Sequence, residues 1–219
     1  MKRINFLKDE WPQLLILLLP FAILAAAWDQ LPERLPTHWG LNGHPNGYTE
    51  KGIGFFLIPL LNVGLAALLI WIGKIDPKAN KMNLPSAAMK PIRLVITAFL
   101  SAMVSVTLLP SMGMNVDVKT VVELGLPIMF LLIGNYLPAV KPNYFVGIRT
   151  PWTLESPENW RLTHAMAGKL WVIASAIFFV LQFFLSETLQ PIFFGVYLGV
   201  IIIPPLVYSY MLFQKSKRA

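Results

Sequence analysis

An all-α, polytopic membrane fold with six transmembrane helices follows from three features of the sequence. Six apolar stretches approach bilayer length, basic residues gather between alternate stretches, and only 13% of the 219 residues are charged. Soluble domains carry about 25% charged residues. With 56% hydrophobic residues, the chain has more apolar surface than one soluble core can hide, whereas lipid can replace water around outward-facing side chains. The net charge of +7 is distributed in clusters between apolar stretches and not along one face, which argues against direct nucleic-acid binding. The sequence has no cysteine, which excludes disulfides, thiolate metal sites and cysteine nucleophiles.

The spans are expected at 11–28, 53–73, 91–110, 121–140, 170–185 and 191–213. Each approaches the ~20 residues that cross ~30 Å of hydrocarbon. The N-terminal MKRINFLKDEW and the apolar run after it resemble a signal peptide. The run is too long for one and has no small-x-small site leading into a soluble domain, so it reads as a retained first helix. Gly134, Asn135 and Pro138 weaken the last turn of the fourth span. Pro20, Pro59, Pro127 and Pro204-Pro205 fall inside spans, where neighbouring helices can satisfy the freed carbonyls.

With the N-terminus inside, 15 of the 18 basic residues fall on the cytoplasmic side, and Arg34, Lys51 and Lys119 alone fall outside. The positive-inside rule therefore predicts both termini in the cytoplasm. Two membrane domains are expected: residues 1–73 with an extracellular loop at 29–52, and residues 74–219 with a cytoplasmic loop at 141–169. No internal repeat relates the halves, which weakens an inverted-repeat transporter reading.

Both loops are expected to be structured. The outer loop reads DQLPERLPTHWGLNGHPNGYTEKG, with turn dipeptides at Asn42-Gly43 and Asn46-Gly47 that favour positive φ. It predicts a compact, turn-rich cap with Trp39 and Tyr48 at headgroup level. His38 and His44 lack the further ligands of a zinc site, so no metal or other cofactor is expected. A surface for an extracellular peptide is the functional alternative to a bland interfacial cap.

The inner loop reads KPNYFVGIRTPWTLESPENWRLTHAMAGK. Gly147 to Trp152 make a constrained bend, with Thr150 extended because a proline follows it. Ser156-Pro157-Glu158 starts a helix that continues into the fifth span. Trp160, His164, Gly168 and Trp171 share one face of it, and Gly168 admits a close helix neighbour. Arg149 offers five donors, with Asn135, Asn143, Glu155, Asn159 and His164 as candidate partners. The favoured reading is a buried polar clasp between the fourth and fifth spans. A docking site for a cytoplasmic partner, and a small-ligand or lipid-headgroup site, are the alternatives.

No HExxH, GxSxG or paired intramembrane Asp is present, so the chain is not expected to be an enzyme. Charged residues lie at or near span ends, and mid-span polarity is confined to groups such as Asn62, Thr97, Ser101, Ser105, Ser175 and Gln182. Such groups more often join helices than line a path.

The inner segment GNYLPAVKPNYFVGIRTPWTLESPENWRLTHAMAGKLW closely resembles the signature of the SdpI-type family of bacterial membrane immunity proteins. The outer segment LPERLPTHWGLNGHPNGYTEKG resembles the N-terminal domain found with it in many members. The resemblance implies a multi-pass protein of the bacterial cytoplasmic membrane that confers resistance to a secreted peptide toxin and holds a cytoplasmic transcriptional repressor at the membrane. It places Asn135, Asn143, Gly147, Arg149, Thr150, Trp152, Trp160, His164 and Gly168 in the cytoplasmic partner-binding motif. It places Pro36, His38, Trp39, Gly43, Asn46 and Gly47 in the extracellular, toxin-facing loop. Family members often carry Asp where Asn46 stands, so a cation or basic peptide held by that carboxylate would bind weakly here. A transporter, pore or lipid-handling protein on the same scaffold is the alternative, because a fold does not fix a function.

Overall fold

The computed structural model describes residues 6–40, 44–75 and 88–218. Its elements are α1 (Phe6–Ala27), β1 (Arg34–Trp39), β2 (Pro45–Glu50), α2 (Ile53–Ile75), α3 (Met89–Leu108), α4 (Val118–Tyr136), α5 (Pro151–Glu155), α6 (Pro157–Leu181) and α7 (Gln190–Ser216). Six of these helices, all but α5, are long and apolar enough to cross a membrane, so the chain is a multi-pass helical membrane protein. Contacts divide it into two compact units, residues 1–67 with 94–122 and residues 68–93 with 123–219. Lys78 and Lys81 of the expected cytoplasmic side lie outside the described residues.

In the first unit, Leu24, Ala27, Leu31, Leu35, Phe55 and Leu108 form a buried cluster. Trp28 stacks on Phe56 at 5.5 Å and meets Phe55 edge-on at 6.1 Å. Lys51 closes the cluster by donating to the Leu31 carbonyl at 3.0 Å, with its ammonium 5.2 Å from the Trp28 ring centroid. Deeper in the unit, polar side chains join three helices. Gln13 Nε2 donates to Thr97 Oγ1 at 2.7 Å and Asn62 Nδ2 to Ser101 Oγ at 2.9 Å. Hydrogen bonds of this kind act as interhelical glue in a bilayer.

The 29–52 loop differs from the turn-rich cap expected of it. It folds as an antiparallel β-hairpin in which Leu35 pairs with Thr49 and Arg34 with Glu50. Thr37, Thr49 and Tyr48 are good strand residues, Leu35 is buried, and the Thr37 and Thr49 hydroxyls share a hydrogen bond of 3.0 Å across the ladder. Asn46-Gly47 is therefore not a turn but part of β2, and Gly47 stands opposite His38. A Cβ on Gly47 would lie 2.9 Å from His38 Cβ, so the glycine provides space and not positive φ. Asn42 and Gly43 lie outside the described residues.

In the second unit α4 ends at Tyr136, and Leu137–Ala139 tightens into a 3-10 turn because Pro138 cannot continue the ladder. The helix begun at Ser156 runs unbroken to Leu181. It binds α7 through Ser175 and Tyr197, whose hydroxyls lie 2.8 Å apart, and through Trp171, whose indole N–H donates to the Ile201 carbonyl at 2.8 Å. That carbonyl lies four residues before Pro205, which has no N–H to offer it. The opposite faces of these helices leave Ile173, Ile177, Ile202, Ile203 and Val207 exposed, as lipid-facing surfaces require.

Candidate functional site

The segment from Val140 to Gly168 is organised by short-range hydrogen bonds before any helix contact. Asn143 is buried and makes the first turn. Its Nδ2 donates to the carbonyls of Lys141 at 2.9 Å and Val146 at 2.8 Å, while Oδ1 accepts from the amides of Phe145 and Val146. Gly147 follows at φ 119°, a conformation that L side chains rarely adopt. A Cβ there would also collide with His164 Nε2 and lie 3.1 Å from Trp160 Cζ2. The glycine thus brings backbone against the α6 face that carries Trp160 and His164.

His164 is fully buried and uses both ring nitrogens. The Ile148 amide donates to Nε2 at 3.0 Å, and Nδ1 lies 2.8 Å from the Trp160 carbonyl. An amide can only donate and a carbonyl only accept, so the ring is neutral with its proton on Nδ1. Trp160 stacks on this ring at 4.1 Å and donates its indole N–H to the Val140 carbonyl at 2.8 Å. The two residues of α6 thereby fasten both ends of the loop that precedes it.

The bend at Thr150 contains a helix that the sequence reading missed. Thr150 is extended, as a residue before proline should be, and it caps α5 through a reciprocal box with Thr153. Thr153 is fully buried and also donates to the Ile148 carbonyl at 2.9 Å. Ser156 then caps α6 by accepting from the Asn159 amide at 3.2 Å.

Ser209 of α7 gathers the other side of the loop. Its Oγ accepts from Trp152 Nε1 at 2.5 Å and from Thr150 Oγ1 at 3.4 Å, and donates to the Leu206 carbonyl at 2.7 Å. Asn159 Nδ2 donates to the Ser209 carbonyl at 2.9 Å and Asn159 Oδ1 accepts from Thr163 at 3.0 Å. Trp152 also stacks on Phe213 at 5.9 Å. Nothing in the local spacing marks Ser209, whose partners outside α7 lie 50 to 59 residues away. Its one available signal was a small polar residue in an apolar span. Gly168, by contrast, does what its position predicted: it admits α4 at Gly134.

Three expected members stand apart from this cluster. Arg149 is exposed and donates to the Tyr144 carbonyl at 2.8 Å, so the clasp is neutral and not built around the guanidinium. Asn135 and Glu155 are exposed as well. Burying a guanidinium among neutral groups would carry a desolvation cost that the neutral His164 avoids. Of the hairpin residues, His38 and Asn46 are exposed and bonded to each other through Nδ1 and Oδ1, Pro36 is half-buried in β1, and Trp39 is half-buried over α2 and α3. The hairpin and the 140–168 cluster belong to different units.

The cluster is therefore a neutral, hydrogen-bonded scaffold that leaves Arg149 exposed on its surface. Comparison with known proteins places it in context. Residues 139–209 match the model of the SdpI/YfhL protein family, and residues 15–63 match a domain of unknown function, DUF1648. The chain is similar to the immunity protein SdpI of Bacillus subtilis (strain 168), at 29% identity over 209 residues, which cover 95% of this chain and 98% of that protein. No solved structure matches it.

Proposed function

We propose that this chain, a member of the SdpI/YfhL family through residues 139–209, is an integral membrane immunity protein that protects its cell from a secreted, membrane-active peptide toxin. The observation that carries the reading is the relation to an immunity protein along nearly the whole length of both chains. The protein sits in the bacterial cytoplasmic membrane with both termini inside, so the hairpin faces the toxin and the 140–168 cluster faces the cytoplasm. Signalling then runs through Arg149. A neutral clasp fixes the backbone on either side of it, and the exposed guanidinium, with one donor on the Tyr144 carbonyl, has others to offer a carboxylate of a cytoplasmic repressor.

The test is survival of toxin-sensitive cells that lack their own immunity protein, with and without this chain at verified membrane levels. Protection is expected. No protection against a panel of such peptides would sink the reading, and solute or lipid flux in proteoliposomes would then test a transporter, pore or lipid-handling role.

A further inference from the structure

The hairpin of the first unit has two strands and therefore two outer edges. An edge strand offers unpaired N–H and C=O groups, a template on which another chain can pair. Which groups turn outward follows from one bond. The Lys51 amide donates to the Glu33 carbonyl at 2.8 Å, one position beyond the Arg34–Glu50 pair. Bonded and non-bonded pairs alternate along an antiparallel ladder. Leu35 and Thr49 are therefore a bonded pair, and the backbone groups of Arg34, Pro36, Tyr48 and Glu50 turn away from the partner strand.

The two edges differ. On β1 the outward row is Arg34 and Pro36, and Pro36 has no N–H to give. On β2 the row is Tyr48 and Glu50, each with a full donor and acceptor. The ladder irregularities begin past the Pro36–Tyr48 pair and leave this row intact. Among the described residues no hydrogen bond from outside the hairpin reaches the backbone of Tyr48 or Glu50. Their side chains lie on the face opposite Leu35 and Thr49, where Tyr48 is 53% exposed and Glu50 is exposed. Opposite charges directly across a ladder favour each other, and Arg34 stands across from Glu50. Its guanidinium instead lies 5.9 Å from the Tyr48 ring centroid, and Glu50 makes no ion pair among the described residues. An incoming strand thus meets an aromatic ring and an unpaired carboxylate on one face.

We propose that the outer edge of β2 binds an extended segment of a secreted peptide, with a basic side chain set against Glu50 and a β-branched one against Tyr48. Main-chain bonds supply the affinity of such strand addition and alternate side chains its specificity. Antiparallel pairing is the more stable per residue and is the arrangement expected. The identity of that peptide as the toxin rests on the immunity reading; the site does not.

The experiment titrates the full chain in phosphatidylcholine nanodiscs with the peptide Thr-Lys-Thr-Val-Thr, whose trifluoroacetyl cap is read by ¹⁹F NMR. Paired antiparallel, its Lys faces Glu50 and its Val faces Tyr48. N-methylation of Lys and Val removes the amides that reach the edge, whereas N-methylation of the middle Thr removes one that points away. Saturable binding is expected, at least about tenfold weaker after the first change and nearly unaltered by the second. Glu50→Lys should lose this peptide and bind Thr-Glu-Thr-Val-Thr in its place, an exchange that a misfolded hairpin would not produce. No saturable binding, or equal affinity for the two methylated peptides, would overturn the proposal. Disulfide linkage of Tyr48→Cys chains to one another, undisturbed by excess peptide, would give the edge to a second copy and overturn it as well. Binding with the expected methylation pattern by a chain that fails to protect cells keeps the site and removes the immunity reading alone. Full protection by Tyr48→Pro, which blocks this edge as Pro36 blocks the other, would overturn the edge as the toxin's site while immunity stands.

Discussion

Gly134 and Gly168 meet backbone to backbone. A Cβ on Gly168 would lie 2.7 Å from the Gly134 carbonyl oxygen and 2.8 Å from Cδ of Pro138, and a Cβ on Gly134 would lie 3.0 Å from the Gly168 carbonyl oxygen. Neither a carbonyl nor a proline ring can yield as a flexible side chain does. Gly168→Val should push α4 from α6 and cost about 1–3 kcal/mol, the usual penalty of overpacking. Thermal unfolding in detergent reads the loss, and a variant as stable as the wild type would show that the helices have room to part.

Trp160 and Arg149 should separate structure from signalling. Trp160→Ala removes a buried indole together with its bond to Val140, and truncations of this kind cost about 3–5 kcal/mol. Arg149→Ala removes an exposed side chain and should change stability by less than about 0.5 kcal/mol. Membrane levels by immunoblot should fall for the first and hold for the second, while a repressor-controlled reporter should fail with Arg149→Ala. Equal loss of assembled protein in both would make Arg149 part of the structural clasp.

His164 should be neutral and protonated on Nδ1 at neutral pH, because Ile148 donates to Nε2 and the Trp160 carbonyl accepts from Nδ1. Ring ¹⁵N chemical shifts in labelled protein distinguish the tautomers from the imidazolium. His164→Phe fills similar space but strands the Ile148 amide, at a cost of about 1–3 kcal/mol. An imidazolium signal at neutral pH would contradict the assignment.

The Trp152–Ser209 bond should appear as coupling between the two residues. In a cycle of Trp152→Phe, Ser209→Ala and the double variant, the expected interaction is about 0.6 kcal/mol and at most about 1.7, the range for interhelical bonds in membranes. Additive losses would mean that the indole N–H finds another partner when Ser209 is gone.

Orientation can be read directly, because the chain has no cysteine of its own to interfere. Tyr48 and Glu155 are both exposed. In intact cells an impermeant maleimide should label Tyr48→Cys, and it should reach Glu155→Cys only after permeabilisation. The reverse pattern would invert the topology drawn from the basic residues.

Local chemistry explains what the sequence disclosed. Ser156-Pro157 announced a helix start, Gly168 announced a close helix neighbour, and the spans were visible as apolar runs. The same grammar at Thr150-Pro151 is ambiguous, because a residue before proline is extended whether or not it caps a helix as Thr150 does. Arg149 was assigned to the clasp because charge tells which groups a side chain can bind, while the fold decides which way it faces. Asn46-Gly47 looked like a turn, yet pairing with β1 overrode that preference once Leu35 and Thr49 set the register. Ser209 had no local signature at all, since its partners are brought to it only when α6 and α7 pack.

The bond from Trp171 to the Ile201 carbonyl has a mechanical consequence. Pro205 leaves that carbonyl open, and in hydrocarbon an open carbonyl has few takers. Moving α7 by one residue, about 1.5 Å of rise with about a 100° turn, would replace Ile201 before the indole by Ile202, whose carbonyl is bonded within the helix, or by Val200, whose carbonyl Pro204 leaves open in the same way. The proline pair thus limits the registers in which the indole finds an open carbonyl to two adjacent ones. A push on one is transmitted to the other as motion of a single strut, and the 140–168 loop, tied to α6 at His164 and to α7 at Ser209, travels with both.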